Sequence, residues 1–468
     1  MNRDASRPAA PAHPRPSAPE SARPSAPAAD RPPLPESARQ SAPEPEQPPV
    51  PRPTVEELRL TSFKSYRRAT LPLAPLTVLH GPAGVGKSNA LDALAVLSRL
   101  ALGEEIAGSL NGLPDRTGPL ATPVRGGLDG CLPHGREAIG LGCTVRSPHG
   151  TIRLDLVIRA DEPVRIVRET LTLDGRTLVE TGEQDVRRRR VNVCWHNDTR
   201  QGDIRAPLPS STMITAQLPL RVAGSSRGER KVLAAVEDLL TALREVFPLH
   251  PVPALMRGWA RADPQARLRS NAANISAVVD RLSNECPRRY GKLLRVAQAA
   301  APYALLGIDL DHRDTAAGRR VLAVFDEGVR GRTRADQASD GMLRHLAFAA
   351  VLLTGAGVLD LDVAAEVPWA HRQLTVLAED LGSGLSTEQA ASLLRLARDM
   401  SGRNQLRVLA ALQEPAAARE ALGGGGGRGA LLVECRRDPG SGVTVLRPEP
   451  ARVPAQRAVG ADAVDLGE

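Results

Sequence analysis

Residues 76–92 constrain the fold of this chain more than any other segment. They read Leu-Thr-Val-Leu-His-Gly-Pro-Ala-Gly-Val-Gly-Lys-Ser-Asn-Ala-Leu-Asp and contain Gly81-x-x-x-x-Gly86-Lys87-Ser88. A match of this kind predicts a phosphate-binding loop only where a strand precedes it and a helix follows. Both conditions are met: Leu76, Val78 and Leu79 form an apolar run, and Ala90, Leu91, Leu94, Ala95 and Leu97 recur at helical spacing. Gly81, Gly84 and Gly86 let backbone N–H groups converge on phosphates, and the helix N-terminus adds partial positive charge. Lys87 is expected to reach the β- and γ-phosphates, Ser88 to hold Mg²⁺, and Asn89 to complete an ATP site.

The chain has 468 residues, enough for two or three average domains or one large α/β unit with insertions. It has no run of eighteen apolar residues and no N-terminal secretory stretch, so a cytoplasmic protein with no membrane partner is expected. Cys131, Cys143, Cys194, Cys286 and Cys435 lack metal-binding spacing and read as reduced, mostly buried thiols. A formal charge of +8 invites a nucleic-acid partner. However, only Lys64, Lys87, Lys231 and Lys292 among the 61 basic residues are lysines, which points to a coding bias toward arginine. Residues 187–190 are the one concentrated basic patch and read more simply as a solvated face. Aromatics make up 2% of the chain, too few for a single-strand stacking platform.

Residues 1–53 hold 16 of the 40 prolines and almost no large apolar side chains, so a disordered tail is expected. An N-terminal lobe follows over 54–185, with strands at 55–60 and 69–73 and an antiparallel subdomain. In that subdomain Ile152, Leu154, Leu156 and Ile158 alternate with polar residues. Residues 186–303 read as a helical insertion, with one amphipathic face at Val232, Ala235, Val236, Leu239, Leu240 and Leu243 and another at Ile275, Val278, Val279 and Leu282. A C-terminal lobe over 304–446 carries strands at 304–310, 320–326, 374–378 and 406–412, helices at 342–353 and 387–400, and a hairpin at 430–446. Five glycines at 423–427 form a connector, and 447–468 are expected to be loose.

The segment 58–66, the loop 81–88 and above all Ala338-Ser339-Asp340-Gly341-Met342-Leu343-Arg344 resemble the ABC-type ATPases of the structural-maintenance-of-chromosomes (SMC) and RecF-like group, in particular compact prokaryotic AAA-family ATP-binding proteins. The resemblance spans most of 54–446. It implies an α/β P-loop head, ATP and Mg²⁺ as ligands, and a nucleotide-dependent homodimer in which Ser339 and Gly341 touch the γ-phosphate held by the partner's Lys87. It also implies an acidic strand, and the segment Thr375-Val376-Leu377-Ala378-Glu379-Asp380 fits with its two carboxylates in reversed order. Glu379 is then assigned to the metal and Asp380 to the attacking water. In an alternative register Glu379 faces the water and Ala378 stands where a metal carboxylate would be. Gln413 falls where the family places a γ-phosphate histidine, and no glutamine coupling Mg²⁺ to the opposite lobe is identifiable. The expected function is a slow ATPase. A nucleotide-gated switch without turnover, or an ATPase serving a DNA-processing or anti-phage effector, are the alternatives. The clusters Asp309, Asp311, His312, Asp314 and Asp360, Asp362 resemble metal sites superficially and are read as strand or loop edges.

Overall fold

A computed structural model gives the fold and describes residues 52–112, 124–200, 202–359, 373–403, 406–423 and 429–449. Nearly all of the proline-rich tail, Asp360 and Asp362, four of the five connector glycines and the last residues lie outside them.

Apolar runs build a central parallel sheet. Its strands lie in the order Val246–Leu249, Leu374–Ala378, Leu406–Leu412, Leu76–His80 and Ala430–Arg437, with Thr444–Pro448 pairing antiparallel at the edge. Every residue of Leu76–His80, Leu374–Ala378 and Leu406–Leu412 is buried, as strands covered on both faces must be. Alternate side chains enter two separate cores. Leu79, Leu377, Leu409, Ala411 and Val433 pack with the helix Lys87–Ala101 on one face. Val78, Val376, Val408, Ala410 and Leu432 pack on the other with the helices Asp340–Thr354 and Thr387–Arg403. This period of two follows from the pleat of each strand.

The first core is closed by an eight-stranded antiparallel sheet in the order Tyr66–Pro72, Thr54–Phe63, Ala138–Ser147, Gly150–Arg159, Arg165–Leu173, Arg176–Asp185, Arg190–Trp195 and Ile204–Pro209. Ile152, Leu154, Leu156 and Ile158 all face inward, as their alternation predicts. The span 186–303 does contain the expected helices, Arg227–Arg244 and Ile275–Glu285. Ser226 and Glu229 start the first of these with a reciprocal capping box. The same span also supplies the last two antiparallel strands and Val246–Leu249, an edge strand of the parallel sheet. Residues 187–190 lie exposed at the turn between Arg176–Asp185 and Arg190–Trp195.

A small third sheet pairs Gly307–Thr315 with Gly318–Asp326, and Arg332–Arg334 adds to the latter. The first strand begins three residues later than 304–310 because cross-strand pairing, not burial, defines it. Asp309 pairs with Arg332 at 3.0 Å and Asp311 with Arg334 at 3.9 Å, so these aspartates face arginines. All five cysteines are free. Among the described residues no helix is long and apolar enough to cross a membrane.

One buried group ties this packing to pH. His345 lies in the helix Asp340–Thr354 with both ring nitrogens buried and without hydrogen-bond partners, and burial pushes its pKa down to about 4. The unfolded chain binds a proton near pH 6.5 while the folded chain does not, so stability falls as pH drops from 6.5 toward 4. The loss amounts to about 2 kcal/mol at pH 5. Denaturant midpoints measured from pH 7 to pH 5 should fall more steeply for wild type than for His345→Leu. Equal slopes would show that His345 is not held neutral.

Candidate nucleotide-binding site

Because five strands run parallel, their carboxyl ends share one edge of the sheet, where ligands of open α/β sheets bind. The loop 81–88 leaves this edge from Leu76–His80. Gly81 has φ 144°, and a Cβ there would collide with the backbone carbonyl of Cys435. Gly86 has φ 107°, and a Cβ would strike the hydroxyls of Thr444 and Ser65. Both positions therefore exclude side chains by conformation and by space.

The loop is fastened by its carbonyls. Tyr66 Oη donates to Gly86 O at 3.0 Å, Thr444 Oγ1 to Val85 O at 2.7 Å, and Arg437 to Gly84 O at 3.2 Å. Lys87 Nζ donates to the carbonyls of Gly81 at 2.6 Å and Pro82 at 2.8 Å. Burial lowers the Lys87 pKa, an effect opposed by Cys435 and by the Asp380 carboxylate. Ser88 is half-buried on the first turn of the helix. Asn89 Nδ2 donates to Ser65 Oγ at 3.0 Å, and Ser65 Oγ lies 2.7 Å from Thr444 Oγ1, so Asn89 ties the helix to the turn after Thr54–Phe63. Gly84 is exposed at the loop tip.

Two strand ends on one side of the sheet face this loop. Gln413 follows Leu406–Leu412, and its carbonyl accepts from Gly81 N at 3.2 Å. Glu379 and Asp380 follow Leu374–Ala378. Glu379 lies 2.7 Å from Arg125 and 3.5 Å from His250, whereas Asp380 has φ 47° and faces the Lys87 charge. Beneath them Lys64 Nζ pairs with Asp92 at 2.7 Å. Burial raises the Asp92 pKa against the pull of Lys64 and Arg125. A cavity of about 340 Å³ lies between the two carboxyl-end turns, lined by Asp380, Ser383, Ser386, Gln413 and Glu414. It sits beside the loop and does not reach Lys87.

The Ser-Asp-Gly segment starts the helix Asp340–Thr354. Ser339 is its exposed N-cap, and its Oγ accepts from Met342 N at 3.2 Å. Gly341 packs against the carbonyl of Gly384, which joins the helix start to the turn after the acidic strand. Arg257 pins this start through Asp340 at 2.6 Å and Ala338 O at 2.8 Å.

His250 and Arg125 escaped the sequence reading. His250 follows Val246–Leu249, a four-residue run containing Pro248, too short to show a period. Its signal was the apolar run itself, since proline is tolerated on an edge strand. Arg125 belongs to no motif and is placed only by tertiary packing.

No family model matches the chain, and neither does any curated protein. Among solved structures the chain is similar to an SMC head bound to the C-winged helix domain of ScpA, with 12% identity and a TM-score of 0.45 over 85% of this chain and 98% of that one. It is also similar to the SMC head domain from Thermotoga maritima, with 13% identity and a TM-score of 0.38 over 85% and 100% of the two chains. The recombination mediator RecF-ATPrS of the RecFOR pathway aligns at 9% identity and a TM-score of 0.34 over 84% and 98%. These are the groups that the loop and the Ser-Asp-Gly segment resemble.

Thr444 holds the Val85 carbonyl in a buried contact. Thr444→Val should cost about 1–3 kcal/mol in denaturant melts, and Thr444→Ser much less. Equal costs for both would mean that the methyl group, not the hydroxyl, is what matters.

Proposed function

We propose that this chain binds ATP with Mg²⁺ at the loop 81–88, hydrolyses it slowly, and pairs with a second copy of itself in the nucleotide-bound state. The observation that supports this most is a buried lysine on a glycine loop at the carboxyl edge of a parallel sheet, with Glu379 and Asp380 at the end of the next strand but one. The residues suit the ligands. The Lys87 ammonium rests on loop carbonyls, which carry no net charge, and Glu379 Oε1 is a buried carboxylate oxygen that is ion-paired with Arg125 outside hydrogen-bond geometry.

Lys87 would exchange its two carbonyls for the β- and γ-phosphates, with Gly81, Gly84, Gly86 and Asn89 shaping the loop around them. Loop amides and the N-terminus of Lys87–Ala101 favour the same anion. Ser88 and Glu379 would hold Mg²⁺, which when bound supplies charge against the phosphates. Asp380 would orient the attacking water and accept its hydrogen bond, and Gln413 would donate to the γ-phosphate without adding charge. Two features support slow turnover. Aspartate is one methylene shorter than glutamate, and a ~1 Å misplacement costs on the order of 10²-fold in rate. Arg125 also occupies Glu379 at 2.7 Å.

Pairing is supported by the exposure of Ser339. Its hydroxyl and the helix N-terminus would form an anion-binding end that a second chain can bring to bound nucleotide, with Gly341 buried behind it against Gly384. A ligand held only by the paired state stabilises it by about 2.7 kcal/mol at a hundred times its dissociation constant.

Sedimentation of Asp380→Asn with ATP·Mg²⁺ should show a dimer that is absent without nucleotide and abolished by adding Ser339→Arg. A monomer under all conditions would reject the pairing. Single-turnover phosphate release should exceed the Lys87→Ala blank. ATP-dependent pairing with no release above that blank would select instead a nucleotide-gated switch, a reading that the Arg125–Glu379 contact favours.

A further inference from the structure

We propose that His250, Glu379 and Asp380 form a divalent-cation site that prefers a transition metal such as Mn²⁺ to Mg²⁺, with Arg125 as its competitor. The proposal rests on the nucleotide reading for the metal's task, because Glu379 and Asp380 serve both, but not for the metal's binding. Among the described residues this is the one group of three or more metal-ligating side chains that converge, with their donor atoms all within 4.8 Å of one another.

The backbone imposes the convergence. Val246–Leu249 and Leu374–Ala378 are parallel neighbours in a register that pairs Leu249 with Ala378. The next residues of each, His250 and Glu379, therefore leave the sheet side by side. Glu379 N donates to Leu249 O at 3.1 Å, which fixes the two strand ends together. The left-handed φ of Asp380 places a second carboxylate on the same side.

The donors lie close without satisfying one another. His250 Nδ1 stands 3.5 Å from Glu379 Oε2, and Glu379 Oε1 is buried without a hydrogen-bond donor. Arg125 approaches that oxygen at 2.7 Å outside hydrogen-bond geometry, from a side chain that is 60% exposed. It balances the charge, and the same guanidinium nitrogen stands 3.8 Å from Asp92, a second carboxylate to which it can retreat. Ligands bound at about 2.1 Å from a common ion are separated by roughly 3–4 Å, so small side-chain rotations bring these three donors onto one cation. An imidazole beside two carboxylates suits Mn²⁺ and later first-row ions, whereas Mg²⁺ favours an all-oxygen shell rich in water. His250 is 48% exposed, which leaves the cation a route in from solvent.

The test is a Mn²⁺ titration of the full nucleotide-free chain, followed by loss of the free-ion electron paramagnetic resonance signal. One Mn²⁺ per chain is expected, with nitrogen modulation of the bound-ion spin echo. His250→Ala should weaken binding at least about tenfold and remove the modulation, and His250→Gln should weaken it without unfolding the protein. Arg125→Gln should act in the opposite direction and tighten binding several-fold, which a merely structural role for either residue does not predict. A hundredfold excess of Mg²⁺ should fail to displace the ion. The proposal is overturned if neither wild type nor Arg125→Gln binds Mn²⁺, if bound Mn²⁺ shows no nitrogen modulation, or if His250→Ala binds as wild type does. ATP titration of the same samples separates the two ideas. Mn²⁺ uptake without ATP uptake removes the nucleotide reading and leaves this site, and the converse removes this site alone.

Discussion

At Gly81 one backbone runs against another, the carbonyl of Cys435, with no room for a side chain. The rest of the site depends on that contact. It seats the loop on the strand Ala430–Arg437 and turns the chain into the helix Lys87–Ala101. From the other side, the hairpin continuing from Cys435 returns Thr444 to hold Val85 O. The loop is thus clamped by residues more than 350 positions away in sequence, and its geometry belongs to the sheet as a whole.

The charges around the loop form a nearly balanced set. Lys64 faces Asp92, Arg125 faces Glu379, and Lys87 lies within the field of Asp380. Three cations against three carboxylates leave little net charge in a partly buried space, where an unpaired ion is costly. A polyanion with its counter-cation can enter such a set only by exchange. On the nucleotide reading proposed above, Lys87 would leave its carbonyls and Glu379 would trade Arg125 for another cation. That exchange would link occupancy of the loop to the position of Arg125, whose carbonyl accepts from Lys64 at 3.2 Å.

Much of this was legible in the sequence because burial leaves a period. The runs 374–378 and 406–412 were bounded correctly, since strands buried on both faces are nearly all apolar, with Thr375 and Arg407 the one polar residue in each. Alternation at Ile152, Leu154, Leu156 and Ile158 gave a half-buried strand, and a 3.6-residue period gave the helix Arg227–Arg244. Val246–Leu249 was not legible: four residues with a proline have no period, and only pairing with Leu374–Ala378 makes them a strand. The strand Gly307–Thr315 was displaced because pairing with Gly318–Asp326 carries it past Ile308, its one buried residue, into exposed positions that leave no apolar pattern. At the site, Lys87, Ser88, Glu379, Asp380 and Gln413 were read from local motifs. His250 and Arg125 come from parts of the chain where no motif marks them, and only the fold brings them to Glu379.

The measurement that bears most directly on this account is a calorimetric titration of the full chain with ATP and Mg²⁺, run in parallel on Lys87→Ala. Saturable uptake of one ATP per chain by wild type, lost or weakened by at least about tenfold in a Lys87→Ala protein of unchanged fold, is the predicted result. Uptake that is absent from wild type, or equal in both proteins, would contradict the claim that the loop between Leu76–His80 and Lys87–Ala101 grips a triphosphate.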